Sequence, residues 1–308
     1  MIGIDVGGAN LKVVDDAGVH IHYCPLWQKA PIAELLRPYA GEEAAVVMSG
    51  ELADSFSCKA EGIRFIVDAV RSVFPEARFY GTEGAFHDDA VPELAAANWL
   101  ASADFLRTRY PDSVLVDMGS TTTDIIPLNA FESLKGMTDL DRLQKGYLVY
   151  TGLLRTPVPA VLREVYLGGV ETLLSSELFA VSADAHLVLG HITPEEYTVP
   201  TPDNAAVTME ASLMRLARVV CADLSEIGEA GARSVARQFW SAQSSMILRQ
   251  IMRVMEETGA DTVLPAGIAA PLLGSAIGDF TEDAPPGSWA GALPAYAVRE
   301  VAGRAGSP

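Results

Sequence analysis

One pattern occurs twice in this sequence and constrains the fold more than any other feature. A short apolar strand ends in Asp-x-Gly, small or hydroxyl residues follow, and a second strand begins. The first copy is Asp5-Val6-Gly7, with Gly8, Ala9 and Asn10 behind it. The second is Asp117-Met118-Gly119, followed by Ser120, Thr121, Thr122 and Thr123. Glycines let a hairpin turn approach a ligand closely and bare its backbone amides. Two such hairpins far apart in one chain predict two similar lobes, each opening with a strand–turn–strand unit. The length of 308 residues suits two lobes. We expect an N-terminal lobe over residues 1–111 and a C-terminal lobe over 112–280. A loosely ordered end rich in Pro, Gly and Ala is expected over 281–308.

The chain is 49% hydrophobic and 20% charged, which supplies a packed core and excludes a disordered protein. Lys and Arg number 22 against 40 Asp and Glu, a formal charge of −18. That balance disfavours nucleic acid and anionic membrane surfaces as partners, since both call for a basic face. Cys24, Cys58 and Cys221 form no CxxC pattern and no disulfide framework. Apolar runs fall short of the ~20 residues that cross a membrane, and the start of the chain lacks signal-peptide character. The expectation is a soluble cytoplasmic protein.

Apolar spacing predicts helices over Ile32–Tyr39, Ile63–Phe74 and Pro92–Tyr110, with a buried strand at Ala44–Met48. Strands are expected at Ser113–Met118 and Thr122–Pro127, then an irregular polar insertion over Asn129–Gly146, then a short strand at Leu148–Tyr150. Leu178–Val181 and Ala185–Leu189 are expected to flank a polar loop around Asp184. Val207–Leu224 and Ala230–Thr258 carry the strongest helical patterns of the second half, and the latter helix could serve a homodimer. Thr262–Leu264 reads as a strand, Gly267 as a turn, and Ile268–Ile277 as a helix.

Several constellations could carry chemistry. Asp5, at a strand end, can hold Mg²⁺ directly or through water, and Asn10 and Lys12 can add donors; a plain glycine hairpin would look the same. The run from Gly119 through Thr123 can offer amides and hydroxyls to phosphate oxygens, or can be a Thr-rich strand edge. The turn at Gly267 leaves room for a phosphate or a flat group, or simply connects strand to helix. Glu51, Asp54, Lys59 and Glu61 cluster after the strand Ala44–Met48. They suit a catalytic group, or a helix start where acids meet the positive end of the dipole. Asp184-Ala185-His186, with His191, could bind metal or move protons, or could be structural. Asp203 suits a turn or a cap, Met209, Leu213, Leu216 and Val220 suit core, and Trp99 and Trp240 suit packing.

The three glycine turns together resemble the two phosphate loops and the nucleotide-side loop of the actin-like superfamily of actin, heat-shock chaperones and sugar kinases. A narrower resemblance rests on several segments. These are Ser49-Gly50-Glu51-Leu52-Ala53-Asp54, Asp117-Met118-Gly119-Ser120-Thr121-Thr122-Thr123-Asp124-Ile125-Ile126-Pro127 and Val149-Tyr150-Thr151-Gly152-Leu153-Leu154-Arg155-Thr156-Pro157. With Glu177-Leu178-Phe179-Ala180 and Arg215-Leu216-Ala217-Arg218, they resemble the hydantoinase/oxoprolinase-related family of tetrahydromethanopterin-linked one-carbon metabolism, over about residues 1–275.

The resemblance implies an α/β, two-lobed actin-like fold with a central cleft. It also implies a methanofuran-biosynthesis transferase. Such an enzyme joins an aminomethylfuranylmethyl diphosphate to the phenol oxygen of γ-glutamyltyramine, or of a tyrosine-like acceptor, and releases pyrophosphate. An ATP-dependent kinase or an amidohydrolase is the alternative within the superfamily. On the transferase reading, Gly7, Gly8, Asn10, Lys12, Gly119, Ser120, Thr121, Thr122, Thr123 and Gly267 hold the diphosphate. Asp5, Asp117 and Asp124 serve Mg²⁺. Glu51 or Asp54 is the base, Glu61 belongs to the same cluster, and Lys59 or Arg155 binds phosphate or a substrate carboxylate.

Overall fold

The computed structural model describes residues 1–278 and 289–305. Two sheets organise them. In the first, strands β1 (Ile2–Val6), β2 (Asn10–Val14), β3 (Val19–Tyr23), β4 (Ala44–Met48), β5 (Arg78–Tyr80) and β6 (Phe86–His87) lie in the order β3-β2-β1-β4-β5-β6. The second contains β7 (Ser113–Met118), β8 (Thr123–Pro127) and β9 (Leu148–Val149). A hairpin of β10 (Glu164–Leu167) and β11 (Val170–Leu173) stands apart, and β12 (Thr262–Ala266) completes the second sheet in the order β12-β7-β8-β9. Every residue of β1 and β4 is buried, as parallel strands covered on both faces require.

The repeated sequence pattern is a repeated structure. β1 pairs antiparallel with β2 so that Asp5 faces Lys12, and β7 pairs antiparallel with β8 so that Asp117 faces Asp124. The turns close alike: the Gly7 amide donates to the Asn10 carbonyl (3.0 Å), and the Gly119 amide to the Thr122 carbonyl (2.9 Å). A third strand then runs parallel to the first of each hairpin. β4 sets Val47 beside Asp5, and β12 sets Ala266 beside Asp117.

The helices are α1 (Ile32–Leu36), α2 (Lys59–Arg71), α3 (Asn98–Leu106), α4 (Phe131–Leu134), α5 (Asp139–Lys145), α6 (Val158–Val161), α7 (Ser182–Leu189), α8 (Met209–Arg218), α9 (Leu224–Thr258), α10 (Ala270–Ile277) and α11 (Leu293–Ala305). α2 buries Ile63, Ile66, Val67 and Val70, one face at helical spacing. One core packs the first sheet on α1 and α2, a second lies around β7, β8, β12 and α3, and a third joins α6, α7, α8 and the first half of α9. Among the described residues, no helix is long and apolar enough to cross a membrane.

Four expectations need correction. The helix expected over Pro92–Tyr110 is a 3₁₀ turn at Pro92–Leu94 followed by α3, because Ala96 takes a left-handed conformation (φ 49°) between them. The irregular insertion over 129–146 contains α4 and α5. Thr138 caps α5 by accepting from the Asp141 amide, and Gly146 ends it at φ 67°. The polar loop expected around Asp184 is the buried helix α7. The loosely ordered end expected over 281–308 includes α11, which buries Leu293, Ala295, Ala297, Val298 and Ala302. This helix lies so close to β1 that a Cβ at Gly3 would sit 1.9 Å from the Ala295 carbonyl oxygen; its small residues make the contact. Residues 281–288 and 306–308 of that expectation lie outside the described ones.

Candidate active site

The two hairpin turns face one cleft of about 730 Å³. Its wall includes Asp5, Gly7, Gly8, Asn10 and Lys12 from the first lobe, and Asp117, Gly119, Ser120, Thr121, Thr122 and Asp124 from the second. The end of β4 adds Ser49, Gly50, Glu51 and Asp54. The structure thus brings together most residues expected from the sequence. Four fall elsewhere. Thr123 is fully buried and donates to the Thr151 carbonyl (2.8 Å). Gly267 packs behind Asp117, where a Cβ would meet the Asp117 Oδ1 at 2.4 Å. Glu61 accepts from the Ser57 amide (2.9 Å) and hydroxyl (2.6 Å), fixing the entry to α2. Lys59 begins α2 off the cleft wall, where its charge acts on Glu51.

Charge in the cleft is unbalanced. Six carboxylates line it (Asp5, Glu51, Asp54, Asp117, Asp124 and Asp139) against the cations Lys12, Arg142 and Arg155. Lys12 approaches Asp5 at 3.5 Å. Arg142, nearly buried, pairs with Asp124 and with Asp139 (2.9 Å), and its guanidinium lies 4.4 Å from the Trp99 ring centre. Burial raises Asp5 above the ordinary carboxylate range against the pull of Lys12. Asp117 is pushed up to about 7, chiefly by burial, with the Asp124 and Asp5 charges adding to it. Burial also raises Glu51, opposed by Lys59 and by the backbone amides of Glu51 and Ala96. One oxygen each of Asp5 and Glu51, Oδ1 and Oε2, is buried without a hydrogen-bond partner.

These features fit Mg²⁺ in a particular way. Among the described residues, no group of three or more His, Cys, Asp or Glu side chains is arranged around one point. Asp124, expected among the metal ligands, lies on the cleft wall with its Oδ1 engaged by Arg142. The unpartnered oxygen of Asp5 and the nearby Asp117 suit a hard cation that keeps waters and shares substrate phosphates, as Mg²⁺ does.

Sequence reasoning missed Arg142, Asp139, Trp27, Asn98 and Tyr150, all on the cleft wall. The signal for Arg142 was present: Thr138 and Gly146 bracket a capped helix. Trp27 carried none, since its partner Arg155 comes from the other lobe; the Arg155 guanidinium lies 4.8 Å from the Trp27 ring centre.

The His186 cluster braces the cleft from behind. His186 Nε2 bonds Gln243 Oε1 (3.0 Å), and Gln243 Nε2 donates to Thr151 Oγ1 (2.8 Å) and the Gly152 carbonyl (2.9 Å). The next residues hold the second turn: the Leu153 amide donates to Gly119 and the Leu154 and Arg155 amides to Ser120. Burial, with the neighbouring His191, lowers His186 from 6.5 to about 3. Its stabilising effect is therefore complete above pH 6.5 and is lost as pH falls toward 3. At pH 5 the loss should reach about 2 kcal/mol. Urea midpoints at pH 7 and pH 5 check this: the drop on acidification should shrink in His186→Gln, and an equal drop in both proteins would refute it.

The hydantoinase/oxoprolinase family model matches residues 42–266. A synthase of Methanocaldococcus jannaschii is 37% identical over 294 residues, covering 91% of this chain and 89% of its own. The chain belongs to the hydantoinase/oxoprolinase family. That relative is named (4-{4-[2-(γ-L-glutamylamino)ethyl]phenoxymethyl}furan-2-yl)methanamine synthase. A protein of the same name from Methanococcus vannielii is 35% identical over 169 residues, covering 55% of this chain and 76% of its own. Among solved structures, a nucleotide-free acetone carboxylase superposes with a TM-score of 0.52 at 13% identity, over 89% of this chain. The chain spans about half of that carboxylase, 46% of its length. This family member has the two-lobed, actin-like α/β fold that the resemblance implied.

Proposed function

We propose that this protein is the ether-forming transferase of methanofuran-type cofactor biosynthesis. It joins an aminomethylfuranylmethyl diphosphate to the phenol oxygen of γ-glutamyltyramine or a tyrosine-like acceptor. The observation that carries this reading is the 37% identity with the archaeal synthase along nearly the whole chain. The cleft supports it chemically. The phenol oxygen forms a bond to the furanylmethyl carbon, and the bond from that carbon to the diphosphate oxygen breaks. Its electron pair leaves with pyrophosphate.

The two glycine turns offer the amides of Gly8 and Ser120 and the hydroxyls of Ser120, Thr121 and Thr122 to the diphosphate, with Asn10 and Lys12 beside them, while the expected amides of Gly7 and Gly119 close the turns themselves. Asp5 and Asp117 would hold Mg²⁺, which when bound neutralises phosphate charge. The furan stabilises positive charge on its CH₂, and the acidic wall favours both that charge and the substrate's ammonium group. The phenol, with a reference pKa of about 10, loses its proton as it attacks. Glu51, with an unpartnered Oε2, takes it.

The test is a turnover assay of the full chain with Mg²⁺, the furan diphosphate and either phenol, without ATP. Ether and pyrophosphate should appear in equal amounts by mass spectrometry. No ether, together with ATP hydrolysis in the presence of an amide or sugar acceptor, would return the chain to kinase or amidohydrolase chemistry.

A further inference from the structure

We propose that Arg155 is the diphosphate-binding cation of the cleft, and that Trp27 is the positioning residue that holds it ready. Three observations converge. First, the pair connects the two glycine turns. Trp27 lies in a 3₁₀ turn whose Leu26 amide donates to the Gly8 carbonyl (3.0 Å), while the Arg155 amide donates to the Ser120 carbonyl (2.9 Å). Their side chains meet at 4.8 Å between guanidinium carbon and ring centre. Each partner is therefore rooted beside one of the turns, and the contact spans the lobes.

Second, the charge of Arg155 is available. Lys12 is matched by Asp5, and Arg142 by Asp124 and Asp139. Among the described residues, Arg155 alone of the three cleft cations has no carboxylate partner. A polyanion entering a wall of six carboxylates needs such a cation.

Third, the mode of contact leaves the donors usable. A contact with an aromatic ring occupies none of the guanidinium's N–H groups, which lie in the plane of its fork. That edge matches the oxygens of a phosphate in a bidentate way, which lysine does not reproduce. Trp27 thus fixes the group without competing for its hydrogen bonds. As the carbon–oxygen bond breaks and charge gathers on the leaving diphosphate, Arg155 donates to it.

The diphosphate identity rests on the transferase reading above, so the test separates the two. Binding of inorganic pyrophosphate is measured by calorimetry in Mg²⁺ buffer for the full-length protein and for Arg155→Gln, Arg155→Lys, Trp27→Leu and Trp27→Phe. The KM for each substrate is measured in parallel. Arg155→Gln should weaken pyrophosphate binding and raise the KM for the diphosphate substrate by roughly 10–100-fold, the size of a charged hydrogen bond. Arg155→Lys should fall between. Trp27→Leu should weaken binding about 3–10-fold, while Trp27→Phe, which keeps a ring face, stays within about twofold of the parent. The KM for the phenol should hold steady throughout.

Unchanged pyrophosphate binding in Arg155→Gln, with a raised KM for the phenol, would overturn the proposal and give Arg155 to the acceptor's carboxylate. Equal binding by Trp27→Leu and Trp27→Phe would remove the positioning role. If the parent protein makes no ether but the variants keep this ranking for pyrophosphate, the clamp stands and the transferase reading falls.

Discussion

Glu51→Gln is expected to lower the rate of ether formation by about 10²–10⁴-fold, the usual contribution of a positioned base. The KM for the diphosphate should change little. Glu51 is only 1% exposed, and its Oε2 has no partner. Burial raises it above the ordinary carboxylate range; the Asp139 charge adds to the rise, and Lys59 and the amides of Glu51 and Ala96 oppose it. A raised carboxylate is a better match to a phenol proton than an ordinary one. The base works deprotonated, so activity should fall on the acid side, at a higher pH than a solvated Glu would give. Glu51→Gln should lose that acid limb. Asp54 is exposed on the cleft wall, so Asp54→Asn should cost much less. Near-parent rates in Glu51→Gln, with its acid limb intact, would remove Glu51 from the chemistry.

Much of this site was legible in the sequence because its chemistry sits on local structure. Asp-x-Gly at a strand end specifies a hairpin, and a hairpin fixes which residues face a ligand. Asp5, Gly7, Asp117 and Gly119 could therefore be placed from one short pattern written twice. Glu51 follows directly from the end of a buried strand. What stayed hidden depends on pairs brought together from afar. Trp27 meets Arg155 only when the lobes face one another. Arg142 points into the cleft because Asp124 and Trp99 hold it, although its helix had clear start and stop signals. Ala96 looks like any helical alanine, yet its left-handed backbone splits the helix expected around it. The C-terminal helix was masked by composition. Alanine and glycine read as a loose tail, yet small residues are what allow α11 to lie against Gly3.

The same lesson applies to Asp184, where the sequence left a catalytic reading open. The structure assigns it to architecture, and this gives the largest expected effect on stability. Asp184 and Arg215 are both fully buried and pair at 2.8 Å. Asp184 Oδ1 also accepts from Ser212 (2.9 Å) and Tyr197 (3.2 Å), and its Oδ2 accepts from the Val181 amide (3.0 Å). Arg215→Met should therefore destabilise the protein by about 3–5 kcal/mol, because it leaves a buried carboxylate without its countercharge. Asp184→Leu should cost a similar amount: Asp203 still faces the guanidinium (3.2 Å), but the Arg215 Nε–H, two hydroxyls and the Val181 amide lose their buried acceptor. Replacing both should recover part of the loss, as the Coulomb partners vanish together. The damage should begin where α7, α8 and α9 pack around Val188, Leu216 and Phe239. Hydrogen exchange should show α7 and α8 opening before β1 and β4. Through His186, Gln243 and Thr151 the loss reaches the second glycine turn, so activity should decline with folding and not ahead of it. An Arg215→Met protein with an unchanged urea midpoint but no turnover would reverse the assignment, and place Asp184 back in the chemistry.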